Sequence, residues 1–354
     1  MTPFKLPDRY VKTEEYYSGG QGYVWIYQDI HLDRKVAVKF LKPSHNPEVL
    51  LKEMASIRSI RSKHVAQVYD LQFHKNTNRP ALIQEYVPGP DVVEIAGQNL
   101  PLHRTLPILY QIAAGIADVH ACGKIHRDIK PPNIKRDDEG ILKLLDFGLS
   151  CDALSEPVTH AARGTFAFQP VEMYGATPVK VTSAVDTYAF GVTAWMLLSG
   201  GDIPRELQKI PPESAQASFA ATEPNLPDEV VQVLNQTLLP LPSERPSMIV
   251  VRNILKSRLT YGKHRAVICA TNGSEPTILS GVGYGVRLKA GESFVQIAYD
   301  GLHFRIQQMP PGVLVNNTPL PINSVLPDSC VIAIQDGLKW AYYVFDVSNP
   351  EVVL

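Results

Sequence analysis

Cysteine is scarce in this chain, and neither sign of charge is in excess. The four cysteines, Cys122, Cys151, Cys269 and Cys330, lie far apart in 354 residues with no C-x-x-C pair. That spacing argues against a zinc ribbon or a dense disulfide framework; buried free thiols in a reducing cytoplasm are the expectation. Lys and Arg number 34 against 35 Asp and Glu, a formal charge of −1. The basic footprint of a nucleic-acid binder and the polybasic patch of a membrane-surface protein are both missing. Long apolar runs are missing too. The longest nearly uncharged one, Tyr188 to Gly201, is too short to span a bilayer and reads as a buried helix. The opening Met1-Thr2-Pro3-Phe4-Lys5 carries no apolar signal core. The expectation is therefore a soluble cytoplasmic protein with no nucleic-acid or membrane partner, and no sequence feature sets an oligomeric state.

What is present suits more than one folded domain. Hydrophobic residues make up 45% of the chain, enough for sizeable cores, and the length exceeds one ordinary domain. The 29 prolines are above the usual ~5% and mark many stops between elements. From Tyr10 to about Tyr86 the pattern is strand-like, with Tyr23–Tyr27 and Lys35–Phe40 as β-rich runs. One helix interrupts it, because Leu50, Leu51, Met54, Ile57 and Ile60 follow an amphipathic 3, 4, 7 spacing that predicts a helix over 48–60. From Val92 to about Leu259 the reading is mainly helical, and eight prolines between Pro204 and Pro246 shorten the later helices. After Tyr261-Gly262-Lys263, short apolar runs alternate with turn formers such as Asn272-Gly273, Asp300-Gly301 and Asp336-Gly337. Residues 264–354 thus read as an all-β sandwich.

Three segments in fixed order match the demands of phosphoryl transfer. In Tyr17-Ser18-Gly19-Gly20-Gln21-Gly22-Tyr23-Val24, glycines let backbone amides approach anionic phosphates. Val36-Ala37-Val38-Lys39 ends an apolar strand on a lysine. His126-Arg127-Asp128-Ile129-Lys130-Pro131-Pro132-Asn133 is followed by Asp146-Phe147-Gly148, the two aspartates 18 residues apart. One carboxylate can orient a substrate hydroxyl and accept its proton, while Asn133 and the other can hold Mg²⁺ against the phosphates.

Together these motifs resemble the eukaryotic-like (Hanks-type) Ser/Thr protein kinases over residues 10–259. The resemblance implies an α+β bilobal fold: a β-rich N-lobe over 10–86, a hinge over 86–91 and a helical C-lobe over 92–260, with ATP in the cleft. Gly19, Gly20, Gly22, Val24 and Ala37 would surround the nucleotide. Lys39 would contact its α- and β-phosphates and pair with Glu53, with Glu48 the runner-up. Glu85 and Val87 would bind the adenine edge through their backbone, beside Gln84 as gatekeeper, and Asp91 the ribose. Asp128 would be the catalytic base, Lys130 the neutraliser of the γ-phosphate, and Asn133 and Asp146 the Mg²⁺ ligands. Lys130 and Gly164-Thr165 resemble the Ser/Thr branch. Glu172 with Arg245, and Asp186 beneath the catalytic loop, would be structural. Arg127 implies a phosphate on the activation segment, with Thr159 preferred over Ser150, Ser155 and Thr165.

The chain departs from the family pattern at Tyr17, where the first loop glycine belongs, and at Pro170-Val171-Glu172. A third departure is Lys135, where a leucine usually lies beneath adenine; its methylene stem could form that floor. The active enzyme would phosphorylate protein Ser/Thr hydroxyls, itself included. The alternative is a nucleotide-binding pseudokinase scaffold presenting its β-domain to a partner, the reading that Tyr17 and Lys135 favour. In residues 264–354, the stretches at Gly312–Leu320, Leu326–Ile332 and Tyr342–Val347 resemble the last strands of a forkhead-associated domain. The recognition residues of that family are missing, and only five Lys/Arg stand against seven Asp/Glu. The resemblance therefore implies a degenerate forkhead-associated-like fold that docks a partner or regulates the enzyme, with a phosphoprotein partner bound through phosphothreonine and an unrelated β-sandwich as the alternatives.

Overall fold

The computed structural model describes residues 5–352 except 19–21, 76, 153–165, 176–180, 217, 349 and 351. The chain divides into two compact units, 1–255 and 256–353.

The first unit opens with five strands: β1 (Tyr10–Ser18), β2 (Gly22–Asp29), β3 (Arg34–Leu41), β4 (Val68–Phe73) and β5 (Pro80–Glu85). They form one antiparallel sheet in the order β1-β2-β3-β5-β4. Directly opposed residues share a face, and the register aligns Tyr17 with Val24, Val24 with Lys39 and Ala37 with Gln84. These side chains, with Ile26 two residues beyond Val24, all lie on one face. Helix α1 (Glu48–Ile57) packs Leu50 against Leu41 and Leu82 of the sheet. It stops three residues short of the predicted end. After Ile57 the chain turns through Arg58 and Ser59, with the Ile60 amide donating to the Ile57 carbonyl, so Ile60 reaches the core from a turn.

Helices then dominate: α2 (Val92–Ala96), α3 (Leu102–Ala121), α4 (Ala184–Leu198), α5 (Phe219–Thr222), α6 (Asp228–Thr237) and α7 (Met248–Thr260). Between α3 and α4 run the short strands β6 (Lys124–Ile125), β7 (Ile134–Arg136), β8 (Leu142–Leu144) and β9 (Cys151–Asp152), paired β6 with β9 and β7 with β8. Helix α4 is apolar nearly all round and is buried accordingly, from Val185 to Leu197. No helix among the described residues is long and apolar enough to cross a membrane.

The second unit holds eight strands: β10 (Arg265–Ala270), β11 (Thr277–Leu279), β12 (Gly285–Ala290), β13 (Ser293–Tyr299), β14 (Phe304–Gln308), β15 (Val313–Val315), β16 (Ser329–Asp336) and β17 (Lys339–Ser348). A five-stranded sheet ordered β11-β10-β17-β16-β15 and a three-stranded sheet ordered β12-β13-β14 share one apolar core. Ile268, Ile332, Ile334 and Phe345 from the first meet Val295, Ile297, Tyr299 and Ile306 from the second. Strand β14 begins only at Phe304, because the Asp300 carboxylate captures the Leu302 and His303 amides in a turn.

Candidate active site

The cleft face of the sheet is set by close backbone packing. A Cβ on Gly22 would lie 2.0 Å from the Phe40 carbonyl oxygen of the neighbouring strand. Glycine is thus required there by strand contact as well as by any approach to phosphate. Gly19 and Gly20 fall outside the described residues, as do Thr159 and Gly164-Thr165.

From that face Lys39, only 6% exposed, reaches two acids. Its Nζ donates to Glu53 Oε1 and Oε2 at 3.0 and 2.8 Å and to Asp146 Oδ1 at 2.7 Å. Glu48, the runner-up, is exposed at the start of α1, whereas Glu53 is wholly buried. Burial disfavours the Lys39 charge, but Glu53 and Asp146 outweigh it and hold the ammonium above its ordinary range. Burial pushes the Glu53 carboxyl up while Lys39 pulls it back. Asp146 is also penalised by burial, yet the Lys39 charge and hydrogen bond, with the Gly148 amide, hold it below the usual carboxylate range.

Across the cleft, Asp128 is held from two sides. Lys130 Nζ lies 2.9 Å from both its carboxylate oxygens, and Asn133 Nδ2 donates to its backbone oxygen at 2.9 Å and to Oδ2 at 2.8 Å. The loop carrying it is fixed from beneath by Asp186, which is fully buried. Asp186 accepts from the amides of His126 and Arg127, each at 2.8 Å, and from His120 Nε2 at 2.9 Å. Those donors outweigh burial and keep Asp186 ionised, below its ordinary range. Arg127 and Asp146 both adopt left-handed backbone, with φ of 67° and 59°, a conformation costing a bulky residue roughly 1–3 kcal/mol. His126 is buried and kept neutral: its Nδ1 accepts from the Asp128 amide while Nε2 faces the Leu145 carbonyl.

The donor set fits a magnesium ion. Asn133 commits its Nδ2 to Asp128, leaving Oδ1 as an acceptor, and the Asp146 side chain is 42% exposed toward the cleft. Two oxygen ligands open to phosphates and water are what Mg²⁺ uses in such sites.

Lys39, Asp128, Lys130, Asn133 and Asp146 line one cavity of about 660 Å³ with Tyr17, Gly22, Val24, Ala37, Gln84, Glu85, Val87, Asp91 and Lys135, whereas Glu53 meets Lys39 outside that lining. Asp91 also caps α2, accepting from the Glu94 amide at 3.0 Å. Lys143 Nζ pairs with Glu85 at 2.8 Å, and Tyr86 and Tyr17 both donate to Glu15. Glu15 and Lys143 carried no sequence signal of a role at the site, and Tyr86 only its place in the hinge stretch. Glu15 and Tyr17, two apart on a strand, share a face, but their meeting with the hinge exists only in three dimensions. Farther away, Arg245 forks onto Glu172 at 2.6 and 3.0 Å.

A β-lobe and a helical lobe thus flank a single cleft that gathers a lysine–acid triad on one side and a braced aspartate on the other. The model of the protein kinase domain family matches residues 10–259, and the chain belongs to that family. Among curated proteins it is similar to serine/threonine-protein kinases drp72 of Corynebacterium efficiens, 35% identical over 51% of this chain and 37% of the relative. It is 33% identical to serine/threonine-protein kinases PknA of Corynebacterium glutamicum, over 51% of this chain and 41% of the relative. It is 32% identical to serine/threonine-protein kinase PrkC of Bacillus subtilis, over 51% of this chain and 29% of that protein. The matches thus span less than half the length of each of these relatives.

Proposed function

We propose that the chain is an ATP-dependent Ser/Thr protein kinase that modifies protein hydroxyls, its own included. The observation that carries this reading is that Lys39 touches both Glu53 and Asp146 while Lys130 and Asn133 hold Asp128. Lys39 would orient the α- and β-phosphates, its charge secured by the two acids. Asp128, fixed by its two partners, would align a substrate hydroxyl and take its proton. Lys130, already beside Asp128, would sit where negative charge builds on the transferred group. Mg²⁺ on Asn133 and Asp146 would neutralise phosphate charge. The relatives, named as serine/threonine-protein kinases, support Ser/Thr as the acceptor class.

Arg127 supports an activation-segment phosphate, with Thr159 the preferred acceptor. Among the described residues its buried Nε has no hydrogen-bond partner. Residues 264–354 are read as a degenerate forkhead-associated-like domain that docks a partner or regulates the enzyme; two sheets over one core support that shape. Four free thiols support a cytoplasmic location.

The test is transfer of label from γ-labelled ATP with Mg²⁺ to a generic protein substrate, followed by phosphoamino-acid analysis. Phosphoserine or phosphothreonine that disappears in Asp128→Asn and Lys39→Met supports the reading. Label that persists in Asp128→Asn, or phosphotyrosine alone, overturns it.

A further inference from the structure

The cleft mouth carries a contact between Tyr17 and Lys135, the two positions where this chain departs from its family at the base-binding end. The Lys135 ammonium lies 5.6 Å from the Tyr17 ring centroid, within cation–π range. Tyr17 descends from β1 on the same face as Val24, and Lys135 rises from β7, so the contact joins the two lobes. Both residues line the cavity with Ala37, Glu85 and Val87.

Each half is tied separately to the hinge. The Tyr17 hydroxyl donates to Glu15 at 2.7 Å, the Tyr86 hydroxyl donates to the same oxygen at 2.5 Å, and Lys35 lies 3.5 Å from the other oxygen. Below, the Lys135 backbone pairs with that of Asp91 in an isolated antiparallel β-bridge, and the Arg136 amide donates to the Pro90 carbonyl at 3.0 Å. That approach needs Gly89, where a Cβ would stand 2.2 Å from the Arg136 carbonyl oxygen. The ring and the ammonium are therefore presented to each other by backbone that is already ordered. Tyr17 is 49% exposed and Lys135 half-buried, so the contact can open without disturbing a core.

From this geometry we infer that Tyr17 and Lys135 form a clasp across the cleft mouth that sets the rate at which a purine nucleotide leaves. The inference rests on the kinase reading above for the identity of the nucleotide. A base that reaches Glu85 and Val87 enters and leaves past this contact, so a closed clasp slows release. Glu15 acts as a positioning residue, holding the ring at the hinge side of the mouth. Affinity differences of this kind fall mainly on dissociation.

The experiment is stopped-flow displacement of ATP carrying a fluorophore on its γ-phosphate, remote from the base, from the full chain and a double-mutant cycle. Tyr17→Ala and Lys135→Met should each speed release by about three- to tenfold, the range of a half-exposed cation–π contact. The double variant should release no faster than the quicker single variant, because both remove one interaction. Lys135→Arg, which keeps the cation, should restore slow release, as a merely structural role for the stem would not require. Release unchanged in both single variants, or strictly multiplicative in the double, overturns the clasp alone and leaves the kinase reading standing. A wild-type chain that binds no labelled nucleotide overturns both.

Discussion

Replacing Asp186 by Asn tests whether the catalytic loop is held by one buried charge. The carboxylate takes the His126 amide and His120 Nε2 on one oxygen and the Arg127 amide on the other. An asparagine presents one oxygen and one NH₂ group, so on one side a donor must face a donor. The direct loss is a charge-assisted hydrogen bond of about 1.5–3 kcal/mol, and the stranded buried N–H costs about 1–3 kcal/mol more. A destabilisation of about 3–5 kcal/mol follows. The second consequence is functional. Arg127 holds φ at 67° next to Asp128, and such strain persists only where surrounding bonds impose it. With its amide unbonded, Arg127 relaxes and displaces Asp128, and a shift of about 1 Å in a reacting group costs on the order of 10²-fold in rate. Denaturant unfolding with steady-state phosphoryl transfer on the same preparation measures both. Wild-type kcat together with a stability loss below about 1 kcal/mol would refute the reasoning.

Further outcomes follow from the same geometry. Glu53→Gln should destabilise the unit 1–255 near the lower end of the roughly 3–5 kcal/mol typical of a broken buried pair, because Asp146 still holds Lys39. It should also cut kcat/KM, and an unchanged kcat/KM would contradict it. Gly22→Ala should lower the melting temperature without any nucleotide present, since overpacking costs about 1–3 kcal/mol and each kcal/mol shifts a unit of this size by about 2–4 °C. A melting curve identical to wild type would remove the strand-contact argument. Burial lowers the pKa of both His64 and His126. The unfolded chain therefore takes up protons first, so stability is full above the ordinary value of about 6.5 and falls as pH drops below it, by up to about 1.4 kcal/mol per pH unit for each histidine. Urea unfolding at about pH 7.5 and about pH 5.5 checks this, and pH-independent stability across that interval refutes it. Phosphopeptide mapping after autophosphorylation should find Thr159, and modification confined to serines would reject it.

The residues proposed to do the chemistry are legible because they come as local motifs. Asp128, Lys130 and Asn133 lie within six positions, and Lys39 closes the apolar run Val36-Ala37-Val38, although β3 continues past it to Leu41. Glu53 came from the resemblance, which implied an acidic partner for Lys39 on the amphipathic helix, and α1 buries it along with Leu50. What bridges separate segments was not legible. The Tyr86–Glu15 and Lys143–Glu85 contacts join residues 71 and 58 positions apart, and no spacing rule links them. In the second unit the alternating burial of Gly285–Ala290 marks a strand, but this strand and the short Thr277–Leu279, which pairs with β10 in the other sheet, carry too little apolar signal to stand out among turns. Gly22 shows a signal with two causes: its motif position suggested phosphate approach, and the Phe40 carbonyl supplies an independent steric reason for the same residue.

Intact-mass measurement of the purified chain before and after incubation with Mg²⁺ and ATP decides whether the chain transfers phosphate. Discrete additions of phosphate are expected on the wild-type chain, borne on serine or threonine, and none on Asp128→Asn under the same conditions. Equal additions on the Asp128→Asn chain, or a wild-type chain that binds ATP yet transfers phosphate neither to itself nor to an added protein, would contradict it.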